Sequence, residues 1–129
     1  MTGPTGPTVS VGAATLPSTL RLTEPLPGLS GSTTYRLEPV EDAPALFTLR
    51  SQDGPPVRLF VVDPDAYFEG YAPTLPPGGP RCVLVVVHPP TADAPATANL
   101  LAPLVVDVET GAAQQVVLDE DWPLRAPLG

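Results

Sequence analysis

The chain has 129 residues, six arginines and no lysine against fourteen Asp and Glu, and a formal net charge of −8; such a surface repels bare phosphate and speaks against direct nucleic-acid binding. Its length suits one domain with one core. A single cysteine, Cys82, excludes an internal disulfide and a multi-cysteine zinc site, and twenty prolines exclude long helices.

In chain order, residues 1–8 (MTGPTGPT) read as a flexible leader, with residues 9–129 as the folded domain. The N-terminus has neither a basic residue nor a long apolar run, so no export signal is expected and the cytoplasm is the natural compartment. Short apolar runs then recur between turn residues: VSV (9–11), LRL (20–22), YRLEPV (35–40), ALFTLR (45–50), VRLFVVD (57–63), VLVVVH (83–88), LVVDV (104–108) and QQVVL (114–118). This spacing predicts an all-β sandwich or barrel, in which the prolines occupy turns and edges. Hydrophobic content of 43% argues against disorder.

Period-two alternation places Leu20, Leu22, Tyr35, Leu37, Phe47 and Leu49 inward, with Arg21, Arg36, Glu38, Thr48 and Arg50 outward. Val57–Val62 and Val83–Val87 are apolar on both faces apart from Arg58, as in strands covered on both sides. The second of these is the longest aliphatic run, far short of the roughly 20 residues of a membrane helix. Residues 72–82 (APTLPPGGPRC) and 89–98 (PPTADAPATA) read as connectors. In LVVDVETGAAQQVVL, a three-residue loop with Gly111 in the left-handed region would set Val108 opposite Ala112 and Leu104 opposite Val116. That register leaves polar Gln114 against Val106.

Few residues offer catalysis. His88 and Cys82 lie six apart on one predicted strand, about 20 Å at strand rise, too far for a nucleophile and its base; His88 reads as the end of a buried strand. Without lysine there is no Schiff-base or Walker-type chemistry. Asp63, Asp65 and Glu69, and Asp119, Glu120 and Asp121, stand beside prolines where turn-forming acids are common. A small acidic enzyme working through Asp63 and Asp65, or a hard-metal site there, is the alternative, although no regular loop of oxygen ligands follows. Tyr67, Phe68 and Tyr71 either fill the core or form an exposed aromatic anchor of the kind found in protein-binding patches.

The stretch TANLLAPLVVDVETGAAQQVVLDEDWPLRAPL (97–128) resembles the C-terminal half of the bacterial flagellar assembly factor family FliW: an N-L-L-A-P run, a strand, a hairpin, a Q-V-V-L strand, an acidic turn and an aromatic-Pro-x-Arg-x-Pro-Leu ending. EPLPGLSG (24–31) and LFVVDPDAYF (59–68) are similar to that family's Leu-Pro-Gly turn and its V-D-P followed by aromatics. Leu29 stands where the family usually has Phe, Trp122 where it usually has Tyr, and the acidic segment before Val83 is cut down to PTLPPGGPR.

The resemblance implies a small, single-domain, antiparallel β-barrel-like fold with little helix, and a non-enzymatic adaptor without a cofactor or metal. It implies that the chain binds the C-terminal region of newly made flagellin in the cytoplasm and, when free of it, binds the RNA-binding translational regulator CsrA; besides the acidic enzyme, a structural β-domain without such a switch is the other alternative. The protein-binding residues expected from the matched motifs are Asn99, Leu100, Leu101, Ala102 and Pro103, together with Asp63, Tyr67 and Phe68. A groove lined by Leu100, Leu101, Tyr67 and Phe68 would shield the apolar face of a flagellin helix. Acidic groups would repel RNA from the regulator only within the roughly 8 Å reach of charge at physiological salt. Asn99 is expected to bond backbone groups that Pro103 leaves without a ladder partner; a purely structural turn amide is the alternative.

Overall fold

Side-chain alternation of this kind buries one face of every strand either against a second sheet or inside a closed one, and the computed structural model shows a closed one. It describes residues 7–12, 14–26, 31–43, 45–75 and 79–128. The elements are β1 (Thr8–Val11), β2 (Ala14–Pro17), β3 (Thr19–Leu22), β4 (Thr34–Pro39), β5 (Leu46–Ser51), β6 (Arg58–Val62), α1 (Pro64–Tyr67), β7 (Arg81–His88), β8 (Thr97–Ala98), β9 (Leu104–Asp107), β10 (Ala112–Gln115) and β11 (Ala126–Pro127). With 43% strand and 4% helix the fold is all-β, and seven strands close a barrel in the order β7-β6-β5-β4-β3-β10-β9 and back to β7. β10 runs parallel to β3, while the other barrel neighbours are antiparallel. The β1–β2 pair adds Val9, Val11 and Leu16 to the interior, and β8 with β11 extends the sheet from β7. β1 begins at Thr8, the last residue assigned to the leader, and the Pro7 carbonyl accepts from Ser18 N–H at 3.0 Å.

The alternation expected from sequence is the one observed. Leu20, Leu22, Tyr35, Leu37, Phe47 and Leu49 are all buried inside the barrel. β6 and β7 are covered on both faces: Val61 and Leu84 point inward, whereas Val62, Val85 and Val87 join a second, outer core with Tyr71, Ala98, Leu100 and Ala126. That outer core is roofed by α1, the residues after it and the C-terminal tail.

The β9–β10 hairpin departs from the expected register by one residue. Leu104 faces Gln115, Val105 faces Gln114, and Val106 faces Ala113. The cause is Asp107, whose Oδ1 accepts from Glu109 N–H at 2.8 Å and Thr110 N–H at 3.1 Å, which lengthens the turn before Gly111 takes its positive φ of 79°. These bonds hold the Asp107 carboxyl below its ordinary pKa. The shift moves exposed Gln114 from its expected place opposite Val106 to one opposite Val105.

β2, α1, β8 and β11 were not anticipated. β8 ends what read as the second connector, and in the first connector the described residues before β7 form no helix or strand. The Leu-Pro-Gly turn at 26–28 and Leu29 lie largely outside the described residues, as does most of the leader.

Candidate functional site

The NLLAP segment is a bulge in a strand. Between the pairs Val87↔Ala98 and Leu84↔Leu104, β7 advances three residues while the facing chain advances six. Three residues must therefore loop out, and their backbone groups need partners other than β7. Asn99 supplies two of them, its Oδ1 accepting from Leu101 N–H at 3.1 Å and Ala102 N–H at 3.0 Å. Its own N–H stays on the ladder, donating to the Val86 carbonyl at 2.9 Å. Leu100 N–H donates to the Pro123 carbonyl at 3.0 Å, and the carbonyls of Leu101 and Pro103 accept from Leu118 N–H (2.8 Å) and Val116 N–H (3.0 Å). The Ala102 carbonyl accepts from Gln115 Nε2 at 3.1 Å. Pro103 brings no N–H, so Val116 donates to the Pro103 carbonyl without a bond returned. The amide of Asn99 thus serves donors that the bulge itself frees, on the near side of the proline.

The bulge is clasped from outside by distant side chains. Tyr71 donates its hydroxyl to the Leu100 carbonyl at 2.6 Å, and its ring meets Trp122 edge to face at 4.7 Å. Trp122 Nε1 donates to Glu120 Oε1 at 3.2 Å, and Glu120 also accepts from Thr74 N–H and Thr74 Oγ1, each at 2.9 Å. Those donors hold the Glu120 carboxyl below its ordinary pKa, the Thr74 N–H most of all. Burial, helped by the Glu120 charge, pushes the Tyr71 phenol up to about 12.

Beside the clasp, Tyr67 forms a ridge between two hollows. The larger, about 440 Å³, is walled by Phe68, Tyr71, Leu100, Trp122 and Pro123. The smaller, about 210 Å³, is almost wholly apolar, with Phe60, Val62, Val87, Pro89 and Leu128 among its walls. Tyr67 is 38% exposed, Phe68 is half-buried and Tyr71 is buried, so the aromatic trio divides between surface and core. Glu69 lines the larger hollow.

Of the residues expected from sequence, Tyr67, Phe68 and Leu100 therefore share one hollow. Leu100, Ala102 and Pro103 are buried and Leu101 is half-buried. Tyr71 takes the core place that the sequence left open for it, while Trp122, Phe60 and Leu128 are additions, brought here by elements distant in the chain.

Asp63 faces elsewhere. Its Oδ1 accepts from Asp65 N–H at 3.1 Å, capping the single turn of α1 with Pro64 at its first position. With Asp65, Arg81 and Cys82 it lines a hollow of about 300 Å³ under the β1–β2 turn. Burial, followed by the charges of Asp63 and Asp65, pushes the Cys82 thiol up to about 11, the reverse of nucleophile activation. His88 lies at the other end of β7, paired with Thr97. No group of three or more His, Cys, Asp and Glu suited to a metal ion occurs among the described residues.

The model of the FliW protein family matches residues 8–128. The chain belongs to the FliW family. A solved structure, described as the crystal structure of the flagellar assembly factor FliW, matches with a TM-score of 0.74 at 20% identity, covering 95% of this chain and 97% of that one. At that identity the likeness concerns the fold, which the barrel order already describes. A comparison with curated proteins returns no match. Among the described residues no helix is long and apolar enough to cross a membrane. Within a FliW chain, the bulge at Asn99–Pro103 explains the N-L-L-A-P run: an amide acceptor first, a residue without N–H last.

Proposed function

We propose that this FliW chain is a cytoplasmic flagellar assembly factor that binds the C-terminal region of flagellin in the hollows on either side of Tyr67, and that it catalyses nothing. The observation that carries the reading is the pair of apolar hollows meeting at a part-exposed Tyr67. An amphipathic helix prone to aggregation needs such a dry, aromatic-walled trough for its apolar face, and an aromatic ridge is the usual anchor of a binding patch. The Asn99–Pro103 bulge acts as the rigid wall of this trough, Leu100 being the part that reaches it. When flagellin is absent, the acidic chain binds the regulator CsrA and keeps RNA from it. The two partners oppose each other, so occupancy by one lowers the affinity for the other.

Titration calorimetry with a flagellin C-terminal peptide tests the reading. Wild type binds, and Tyr67→Ala weakens binding more than about tenfold while the melting curve is preserved. Added CsrA reduces the apparent affinity for the peptide. Failure of the peptide and of intact flagellin to bind the wild-type protein would refute the proposal.

A further inference from the structure

We propose a second docking surface on this chain, a free strand edge at Gln115–Val117 that takes up an extended, basic and apolar segment of a partner protein by strand addition. β10 pairs with β3 only through Ala112↔Arg21 and Ala113↔Leu22, and the last rung is Thr23 N–H to the Ala113 carbonyl at 2.9 Å. Beyond it the chain at Thr23–Pro25 peels away. The strand itself goes straight on, because Val116 and Leu118 still donate to Pro103 and Leu101 on the other side. In such a strand the odd residues direct their N–H and C=O to the side that β3 has left. Among the described residues Val117 has no backbone hydrogen bond, and its side chain, 73% exposed, is the most exposed large apolar one.

The gap is a groove of about 370 Å³ walled by Thr23, Glu24, Pro25, Gln114, Gln115 and Val117. It shares no wall with the hollows beside Tyr67. An unpaired edge next to an exposed β-branched side chain is the template for β-augmentation. The charge chooses the occupant: Glu24 is the one ionisable wall residue, on a chain of net charge −8, so a lysine or arginine flanking the apolar contact is favoured. A second copy of this chain would bring Glu24 towards Glu24 and is disfavoured.

The probe is a capped pentapeptide alternating arginine and valine, titrated into ¹⁵N-labelled protein. Binding is expected to shift and protect the Gln115 and Val117 amides while leaving Tyr67 unaffected. Val117→Pro removes the outward donor where no backbone bond depends on it and should weaken binding about tenfold. Glu24→Lys should weaken it by a salt-sensitive factor of several. A peptide N-methylated on its edge-facing nitrogens should not bind, which keeps the test decisive even if Val117→Pro fails to fold. The proposal is overturned if the parent peptide does not bind, if the methylated peptide binds equally well, or if a dimer of the chain occupies the edge and excludes the peptide.

Discussion

The two faces of β7 are built on different principles. Inside, Leu84 sits in a barrel whose strands are paired backbone to backbone all the way round, if only by two residue pairs between β3 and β10. Outside, Val85 and Val87 are covered by segments that are mostly not strands, pinned by Asn99, Tyr71, Glu120 and Trp122. The inner core is closed by topology; the outer one is held shut by a few side chains. Surfaces that bind partners belong on the second kind, because it can adjust without opening the barrel.

The harshest test of this contrast is a pair of truncations. Leu84→Ala should cost about 4 kcal/mol in urea denaturation, since the barrel wall cannot collapse into the cavity. Leu100→Ala, equally apolar and nearly as buried, should cost about 2 kcal/mol, because the roof can relax. Equal costs would erase the distinction.

Asn99→Ala comes next. It leaves the Leu101 and Ala102 N–H groups without acceptors and should cost roughly 2 kcal/mol. Asn99→Asp keeps the acceptor oxygen and should recover most of that loss. If Asn99→Ala unfolds the protein outright, Asn99 is structural only; if the variant folds yet lacks the flagellin binding proposed for wild type, the amide holds the trough wall in its binding shape.

How far these features were legible follows from how local their causes are. The barrel faces were readable because alternation is encoded residue by residue, as in Leu20-Arg21-Leu22. The hairpin register was not, although Asp107 stands in view: matching the apolar runs favours a pairing one residue away, and the two Asp107 side-chain bonds that lengthen the turn override it. α1 had a readable signature in Asp63-Pro64, an N-cap followed by proline. β8 and β11, two residues each, have no pattern of their own and exist because β7 offers them an edge. Asn99 was anticipated as a backbone acceptor, but its partners were not, since the three-residue bulge appears only once β7 is in place. The clasp was unreadable for the same reason, with Thr74 and Glu120 separated by 46 residues.

Smaller effects sharpen the contrast through pH. Tyr71→Phe removes the bond to the Leu100 carbonyl but keeps the ring against Trp122, and should cost about 1 kcal/mol at neutral pH. In the fold the phenol is raised from 10.0 to about 12, so its contribution is complete below pH 10 and is lost as pH climbs towards 12. Cys82, raised from 9.0 to about 11, adds a loss beginning lower, between pH 9 and 11. Stability measured across that range should fall more shallowly in Tyr71→Phe, and Cys82→Ser should remove the earlier part of the fall.

Glu120→Gln probes the opposite limb and should be the mildest change. The carboxylate is fully exposed, so its bonds to Thr74 and Trp122 are screened and global stability should scarcely move. Its folded pKa lies below 4.5, so whatever it contributes is present above that value and disappears as pH falls through the lowered one. The local signature is more telling than the global one. Hydrogen exchange at the Thr74 amide should quicken in Glu120→Gln at pH 7, and in wild type on acidification, while amides of Leu84 and Val106 remain protected. Acceleration confined to the Thr74 side would mean the outer roof opens independently of the barrel. Simultaneous acceleration at Leu84 would mean that the two faces of β7 open as one unit.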